Sequence, residues 1–164
     1  MIPEWRIQPL IEHVFWGSPQ FRDRPKTVLR RGKPYTYYPR PTFEFELFAA
    51  ETLRMNWQNQ PLEFDSLMMR LDIVHPRPKR RPSMVDKDLW KSGTRCWRPL
   101  HPEGSRVAKL MREITRRGTI IKSESQIVDA HYRSWWSAKN EKPHVHLWLG
   151  RIEHRATEEP SSET

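Results

Sequence analysis

The alternation of apolar and polar residues predicts one strand in the middle of the chain. Between residues 67 and 73, apolar side chains occupy every second position: Leu67, Met69, Leu71 and Ile73. The intervening positions hold Met68, Arg70 and Asp72. A period of two is typical of a strand with one buried face. Pro76 ends the predicted strand, because proline cannot donate to a strand ladder.

A helical period begins near Ser105. Apolar residues recur at the spacing i, i+3, i+4, i+7: Val107, Leu110, Met111 and Ile114. This spacing forms one apolar stripe on a helix, with Ser105 as the predicted N-cap and Gly118 as the stop. The opposite face carries Arg106, Lys109, Arg112 and Arg116.

Three further elements complete the predicted fold. A helix begins near Thr42, which can cap it, and Glu44 and Glu46 favour its N-terminal end. The segments "QIVDAHYRSWW" and "HVHLWLGRIE", joined by the turn-like "SAKNEKP", predict an antiparallel hairpin. The expected fold class is α+β, a small mixed sheet with two main helices packed on one face.

The chain length of 164 residues suits one compact domain. We expect residues 1–35 to form an irregular N-terminal arm, because they are rich in Pro, Arg and Trp without a sustained period. Its aromatic residues Trp5, Phe15 and Trp16 are expected to dock on the core. Residues 36–153 form the predicted domain, and residues 154–164 form a tail too polar to fold.

The positive charge is concentrated in one part of the chain. The formal net charge is +9, and residues 75–122 hold fourteen Lys/Arg against four Asp/Glu. Within this part, the Pro-rich loop 75–102 interleaves Trp90 and Trp97 with basic residues, a combination that suits nucleic-acid binding. A solvated cationic surface, with the tryptophans pinning the loop to the core, is the alternative.

The composition excludes several other classes. The single cysteine, Cys96, rules out an intramolecular disulfide and a multi-cysteine zinc site. No apolar run is long enough to span a membrane, and the N-terminal residues lack a signal-peptide core. We therefore expect a reducing compartment, the cytoplasm of a bacterium or of a phage-infected cell. His144 and His146 have the spacing of a two-histidine metal contact, but we favour the interpretation that they lie on a half-exposed strand face.

Two short blocks carry a resemblance to a known family. "HPEGSRVAKL" opens the basic helix with a proline, an acid and a lysine, and "KSESQIVD" follows, with Glu124 twenty-one residues after Glu103. The blocks, their spacing and the order of elements over residues 30–152 resemble the RusA family of Holliday junction resolvases. The family pattern is P-D-x-D-N-x-x-K followed by D-D-x-Q-V-V.

The resemblance implies an Mg²⁺- or Mn²⁺-dependent endonuclease that cuts four-way DNA junctions in recombination, repair or phage DNA processing. Residue by residue, Pro102 stands at the proline and Gln126 at the glutamine. The implied catalytic residues are Glu103, Glu124 and Lys109, and we add Asp129 to the two glutamates as a candidate metal ligand. A homodimer on branched DNA is implied as well. For DNA contact we select Lys79, Arg80, Arg81, Lys87, Lys91, Arg95, Arg98, Arg106 and Arg112.

The acidic pattern is incomplete. Ser105 stands at the second aspartate, Arg106 at the asparagine, and Ser123 at the first acid of the second block. Asp129, Asp72, or the loop residues Asp86 and Asp88 are candidates for the missing carboxylate. Three hypotheses stay open: a divergent resolvase, a DNA-binding protein of the same fold that does not cut, and a module that docks on another protein through the Trp-rich arm and loop.

Overall fold

The structure, a computed structural model, describes residues 4–19, 26–37, 40–99 and 102–155. The strands within these ranges are β1 (Glu4–Trp16), β2 (Lys26–Arg30), β3 (Lys33–Tyr37), β4 (Leu67–His75), β5 (Cys96–Trp97), β6 (Ile127–Trp136) and β7 (His144–Arg155). The helices are α1 (Arg40–Asn56), α2 (Lys87–Lys91) and α3 (Pro102–Arg117), and a 3₁₀ turn spans Glu124–Gln126.

Five of the strands form one mixed sheet in the order β1-β7-β4-β6-β5, and β2 and β3 form a separate hairpin. β4 runs parallel to β6 and antiparallel to β7. The predicted hairpin of the two closing strands is therefore wrong, because β4 lies between them. β4 is the central strand, and the segment between Trp136 and His144 crosses over it.

One face of the sheet is buried against α1 and α3, which confirms the α+β class and the position of the two helices. The predicted inward positions of β4 are at most 2% exposed, and the apolar stripe of α3 is at most 1% exposed. Ala49, Ala50 and Leu53 of α1 join the same core, as do Val145, Leu147 and Leu149 of β7.

The helix α3 begins earlier than the sequence pattern predicts. It starts at Pro102, three residues before the predicted N-cap Ser105, and it ends at Arg117, directly before the predicted stop. Proline is favourable in the first turn of a helix, because the first N–H groups have no intrahelical acceptor. Glu103 consequently lies in the first helical turn and not before it.

The described residues of the predicted irregular arm are mostly strands: residues 4–16 form β1, and β2 and β3 begin at residues 26 and 33. β1 pairs with β7 from Glu4↔Arg155 to Trp16↔His144, and a register irregularity between Pro9 and Ile11 breaks the period of two that would reveal the strand. Phe15 is buried as predicted, but Trp16 is 66% exposed, so its predicted docking is wrong. The side chain of Trp5 lies outside the described residues.

The C-terminal boundary also moves. β7 continues to Arg155, because it pairs with the extended β1, so the predicted tail begins two residues too early. Residues 156–164 lie outside the described residues. None of the helices in the described ranges is long and apolar enough to cross a bilayer.

Candidate nucleic-acid interface

The helix α3 and the 3₁₀ turn share a polar depression of about 380 Å³. Its lining includes Lys109 and Arg112 from α3 and Glu124 and Ser125 from the turn. The structure thus brings together side chains from the two sequence blocks, which are separated by at least a dozen residues. One carboxylate and two cations give this depression a positive formal charge, which suits a phosphate group.

The side chain of Gln126 fixes the turn that presents Glu124. Gln126 is 8% exposed, and its Oε1 accepts hydrogen bonds from the backbone N–H groups of Lys122 and Ser123, at 2.9 and 3.0 Å. Its Nε2 donates to the carbonyl oxygens of Leu62 and Asp65, at 3.0 and 3.2 Å. All of the amide's principal hydrogen-bonding positions are used, so the turn is held against the 62–65 segment.

Ser123 completes the turn from its other side. Its side-chain oxygen accepts from the backbone N–H of Ser125 at 3.3 Å and lies 2.7 Å from the hydroxyl oxygen of Ser125. Together, Ser123 and Gln126 form a capping box around the turn. Ser123 stands where the family pattern has an acid, and here it has a structural role.

One carboxylate among the described side chains lines the depression. Glu124 is the carboxylate lining the depression, and no cluster of three His, Cys, Asp or Glu side chains occurs in the described part of the chain. Mg²⁺ prefers oxygen ligands, and lysine and arginine close to it oppose its binding. The side chain of Glu103 lies outside the described residues.

Asp129 does not join Glu124. It faces the side of the sheet opposite the helices, because it is in register with Met68 of β4. Its Oδ1 lies 3.0 Å from His131 Nε2, and it lines a different depression with Ile7, Ser66, Val128 and Ile152. A strand alternates its side chains between faces, so Asp129 and the α3 residues lie on opposite sides of the sheet.

The other candidate carboxylates lie away from the depression. Asp72 accepts hydrogen bonds from Arg133 at 2.7 and 2.9 Å, and it also accepts from Trp135 at 3.3 Å. Asp86 caps α2 by accepting from the N–H groups of Asp88 and Leu89, at 2.9 and 3.1 Å. Asp88 lies exposed in the first turn of that short helix.

The predicted DNA-contact residues divide into an exposed group and a structural group. The exposed loop cations are Lys79, Arg80, Lys87 and Lys91. Arg81 donates to the carbonyl oxygen of Val85, and Arg95 is ion-paired with Glu141. Arg98 Nη1 lies 2.9 Å from His75 Nε2.

Arg77, which is not among the predicted DNA-contact residues, organises the basic loop. Its guanidinium lies 3.7 Å from the ring centroid of Trp90 and donates to the carbonyl oxygens of Thr94 and Ser137, each at 3.2 Å. Trp90 is partly buried and packs on Arg77 within the same loop. Trp97 is 59% exposed, and one face of its ring stacks on Trp135 of β6.

The loop cations and the depression lie at opposite ends of β6. The turn at Glu124 immediately precedes Ile127, the first residue of β6, whereas the loop lies next to its last residues, where the N–H of Arg98 donates to the carbonyl oxygen of Ser134 at 3.0 Å. The nine steps from Ile127 to Trp136 correspond to about 30 Å. Arg106 is partly buried in α3, and in the sequence it lies between the basic loop and the turn at Glu124.

The two strand histidines have ordinary partners. His144 Nδ1 lies 2.9 Å from the carbonyl oxygen of Lys142, and His146 Nε2 lies 2.7 Å from Glu12 Oε1.

Comparison of the chain with models of known protein families gives no match. A search among curated proteins finds no significant relative.

Proposed function

We propose that the protein binds branched DNA and is a metal-dependent endonuclease of the RusA type. The observation that carries the proposal is the depression in which Lys109 and Glu124 meet. The resemblance assigns these two residues to one site, although they come from separate sequence blocks. The concentration of positive charge in residues 75–122 supports a polyanionic partner.

In this proposal, Glu103 and Glu124 would hold Mg²⁺ or Mn²⁺, and the ion would supply an activated water and offset the charge of the phosphate. Lys109 lies in the same depression as Glu124 and contacts the scissile phosphate. Gln126 is a positioning residue, because its four hydrogen bonds hold the turn that carries Glu124. Arg112 contacts a neighbouring phosphate.

The proposal also includes the oligomeric state of the protein and its cellular location. By the resemblance, the protein acts as a homodimer on a four-way junction during recombination, repair or phage DNA processing, in the cytoplasm of a bacterium or of an infected cell. Sedimentation equilibrium of the purified protein tests the dimer. A monomer at micromolar concentration contradicts it.

The second candidate function is binding of branched DNA without cleavage. The replacement of family acids by Ser105 and Ser123, together with Arg106 at the asparagine position, favours this candidate. Each substitution removes a ligand or adds a positive charge where a metal ion needs carboxylates.

One experiment separates the candidates. The purified protein is incubated with a labelled four-way junction and Mg²⁺ or Mn²⁺, in parallel with the variants Glu124→Gln and Lys109→Gln and with the control Glu51→Gln. Glu51 is an exposed acid of α1. Cleavage by the protein and by the control, but not by Glu124→Gln, supports the endonuclease.

The remaining outcomes are equally informative. Junction binding without cleavage favours the second candidate, and a preference for four-way over linear duplex DNA is then required. Absence of both binding and cleavage contradicts both candidates and leaves the hypothesis that the protein docks on another protein.

A further inference from the structure

A row of side chains crosses all five strands of the main sheet, on the face opposite α1 and α3. In the register of the sheet, Trp16 lies opposite His144, and His144 lies opposite Val74. Val74 in turn lies opposite Trp135, and Trp135 lies opposite Trp97. Side chains of directly opposed residues point to the same face. These five residues, which we call the aromatic row, therefore lie side by side over about 19 Å, at ~4.8 Å per strand.

The two ends of the aromatic row are open to solvent. Trp16 is 66% exposed and Trp97 is 59% exposed, while Val74 and His144 are buried between them. The row thus has an accessible indole at each end and covered side chains between them.

The indole of Trp97 is already held in a stacking arrangement. Its ring lies 3.7 Å from that of Trp135, centroid to centroid, with an interplanar angle of 21°. One face of Trp97 covers Trp135, and the exposed remainder is available to another flat ring. β5 contains only Cys96 and Trp97, so within the described residues no further paired strand covers this edge.

Two arginines contact the ring of Trp135, on which Trp97 stacks. The guanidinium groups of Arg95 and Arg133 lie 5.4 and 5.7 Å from its ring centroid. Each arginine is in turn held by a carboxylate, Glu141 for Arg95 and Asp72 for Arg133. A pre-ordered stacking surface loses less side-chain entropy when a ligand binds.

The loops beside the aromatic row are strongly basic. The row lies where β4 and β6 end and β7 begins, and the adjoining segments 75–98 and 137–143 hold ten Lys/Arg against three Asp/Glu. Exposed cations in these segments include Lys79, Arg80, Lys139 and Lys142. Their charge complements a polyanion, which favours nucleic acid over a protein partner for this surface.

We propose that the aromatic row binds single-stranded DNA, with bases stacked on Trp16 and Trp97 and the backbone phosphates contacted by the adjoining basic loops. Exposed aromatic rings beside lysines and arginines suit this ligand, because every base has a face to stack and every nucleotide carries a phosphate. The row lies about 26 Å from the start of β6, and hence from the turn that carries Glu124.

This inference deepens the proposed function and rests on it only for DNA as the partner. A junction that is opened or processed exposes unpaired bases, and a surface remote from the depression would hold them. Binding to the aromatic row involves no cleavage, so it can be measured in EDTA, which removes divalent metal ions. The result therefore does not depend on whether the protein is an endonuclease.

The test uses fluorescence anisotropy of a labelled oligothymidylate, which has no secondary structure, in EDTA at low salt. The full chain is compared with Trp97→Leu, Trp97→Phe, Trp16→Ala and the control Phe48→Ala. Phe48 is 68% exposed on α1. We expect Trp97→Leu to raise the Kd about tenfold, Trp97→Phe to stay within about threefold because it keeps a ring, and Phe48→Ala to match the parent chain.

A second measurement identifies the contact directly. An oligonucleotide containing 5-iodouracil cross-links under ultraviolet light to an aromatic side chain that stacks on it, and peptide mass spectrometry locates the adduct. Adducts at Trp16 or Trp97 support the proposal. It is overturned if the parent chain does not bind the oligonucleotide, if Trp97→Leu binds as well as Trp97→Phe, or if the adducts fall only elsewhere. In each of these cases the aromatic row becomes a candidate surface for protein docking.

Discussion

The carboxylate of Asp72 on β4 accepts two hydrogen bonds from the guanidinium of Arg133 on the parallel strand β6, at 2.7 and 2.9 Å. Burial raises the pKa of Asp72, but hydrogen bonds from Arg133 and Trp135 outweigh it and hold the pKa below its ordinary value of 3.8. The pair ties together two strands that are far apart in sequence, and it orients the indole of Trp135.

The first prediction concerns acid stability. The lowered pKa of Asp72 means that its ionised form stabilises the folded state. This contribution is fully present above the ordinary pKa and is lost as the pH falls through the lowered, folded-state value. Asp72→Asn should therefore flatten the acid limb of the pH dependence of the free energy of unfolding, measured with urea between pH 2 and 7.

A double-mutant cycle with Arg133→Gln measures the same pair. Because Arg133 is half exposed, the coupling at pH 7 should be about 0.5–1 kcal/mol, and it should vanish once Asp72 is protonated. A coupling that does not change with pH contradicts the assignment.

The second prediction concerns Gln126. Gln126→Ala removes four hydrogen bonds at a buried position and leaves the carbonyl oxygens of Leu62 and Asp65 without this donor. We expect the free energy of unfolding to fall by about 2–3 kcal/mol and junction affinity or cleavage to fall with it. Urea denaturation measures the first effect, and junction titration measures the second. Gln8→Ala, at an exposed position of β1, is the matched control and should change neither.

The third prediction concerns the close approach of Trp148 to Gly150. A Cβ at residue 150 would lie 2.5 Å from the Trp148 ring and 2.6 Å from the Ile7 side chain, so Gly150→Ala should destabilise the fold by about 1–3 kcal/mol through overpacking. Thermal unfolding measures this cost. It should be smaller in a Trp148→Ala background, and equal costs in both backgrounds contradict the steric explanation.

The fourth prediction concerns the salt dependence of DNA binding. Replacing Lys79, Arg80 and Lys91 together by glutamine should weaken duplex or junction binding and reduce the slope of log K against log salt by about 0.9 for each phosphate that is no longer neutralised. These side chains are exposed, so stability should not change. The control replaces Arg6, Arg30 and Lys33, which are exposed on β1–β3. An equal reduction of affinity in both triple variants would attribute binding to net charge alone.

Sequence patterns predict the elements whose period is regular. β4 and α3 follow from their apolar spacing. The apolar residues of each series, such as Leu67 in β4 and Ile114 in α3, all lie on one buried face of their element. β1 does not follow, because the irregularity between Pro9 and Ile11 exchanges its faces midway. The position of β4 between β6 and β7 is a long-range property that no local pattern contains.

The candidate site shows the same limit. The resemblance implies that Lys109 and Glu124 belong to one site, and both side chains line the same depression. Asp129, in contrast, is close to Glu124 in sequence but points to the other face, since β6 alternates its side chains. The aromatic row was beyond prediction because its members come from five strands and meet only through the register of the sheet.

The central position of β4 has a consequence for folding. Both of its partner strands come from residues 127–155, the last part of the described chain to leave the ribosome. Until they emerge, the apolar side of β4 has only helices to cover it, and its backbone N–H and C=O groups have no strand to pair with. Sheets closed by such distant segments form slowly, and until the sheet is complete the unpaired edges of this strand are exposed to pairing with another molecule.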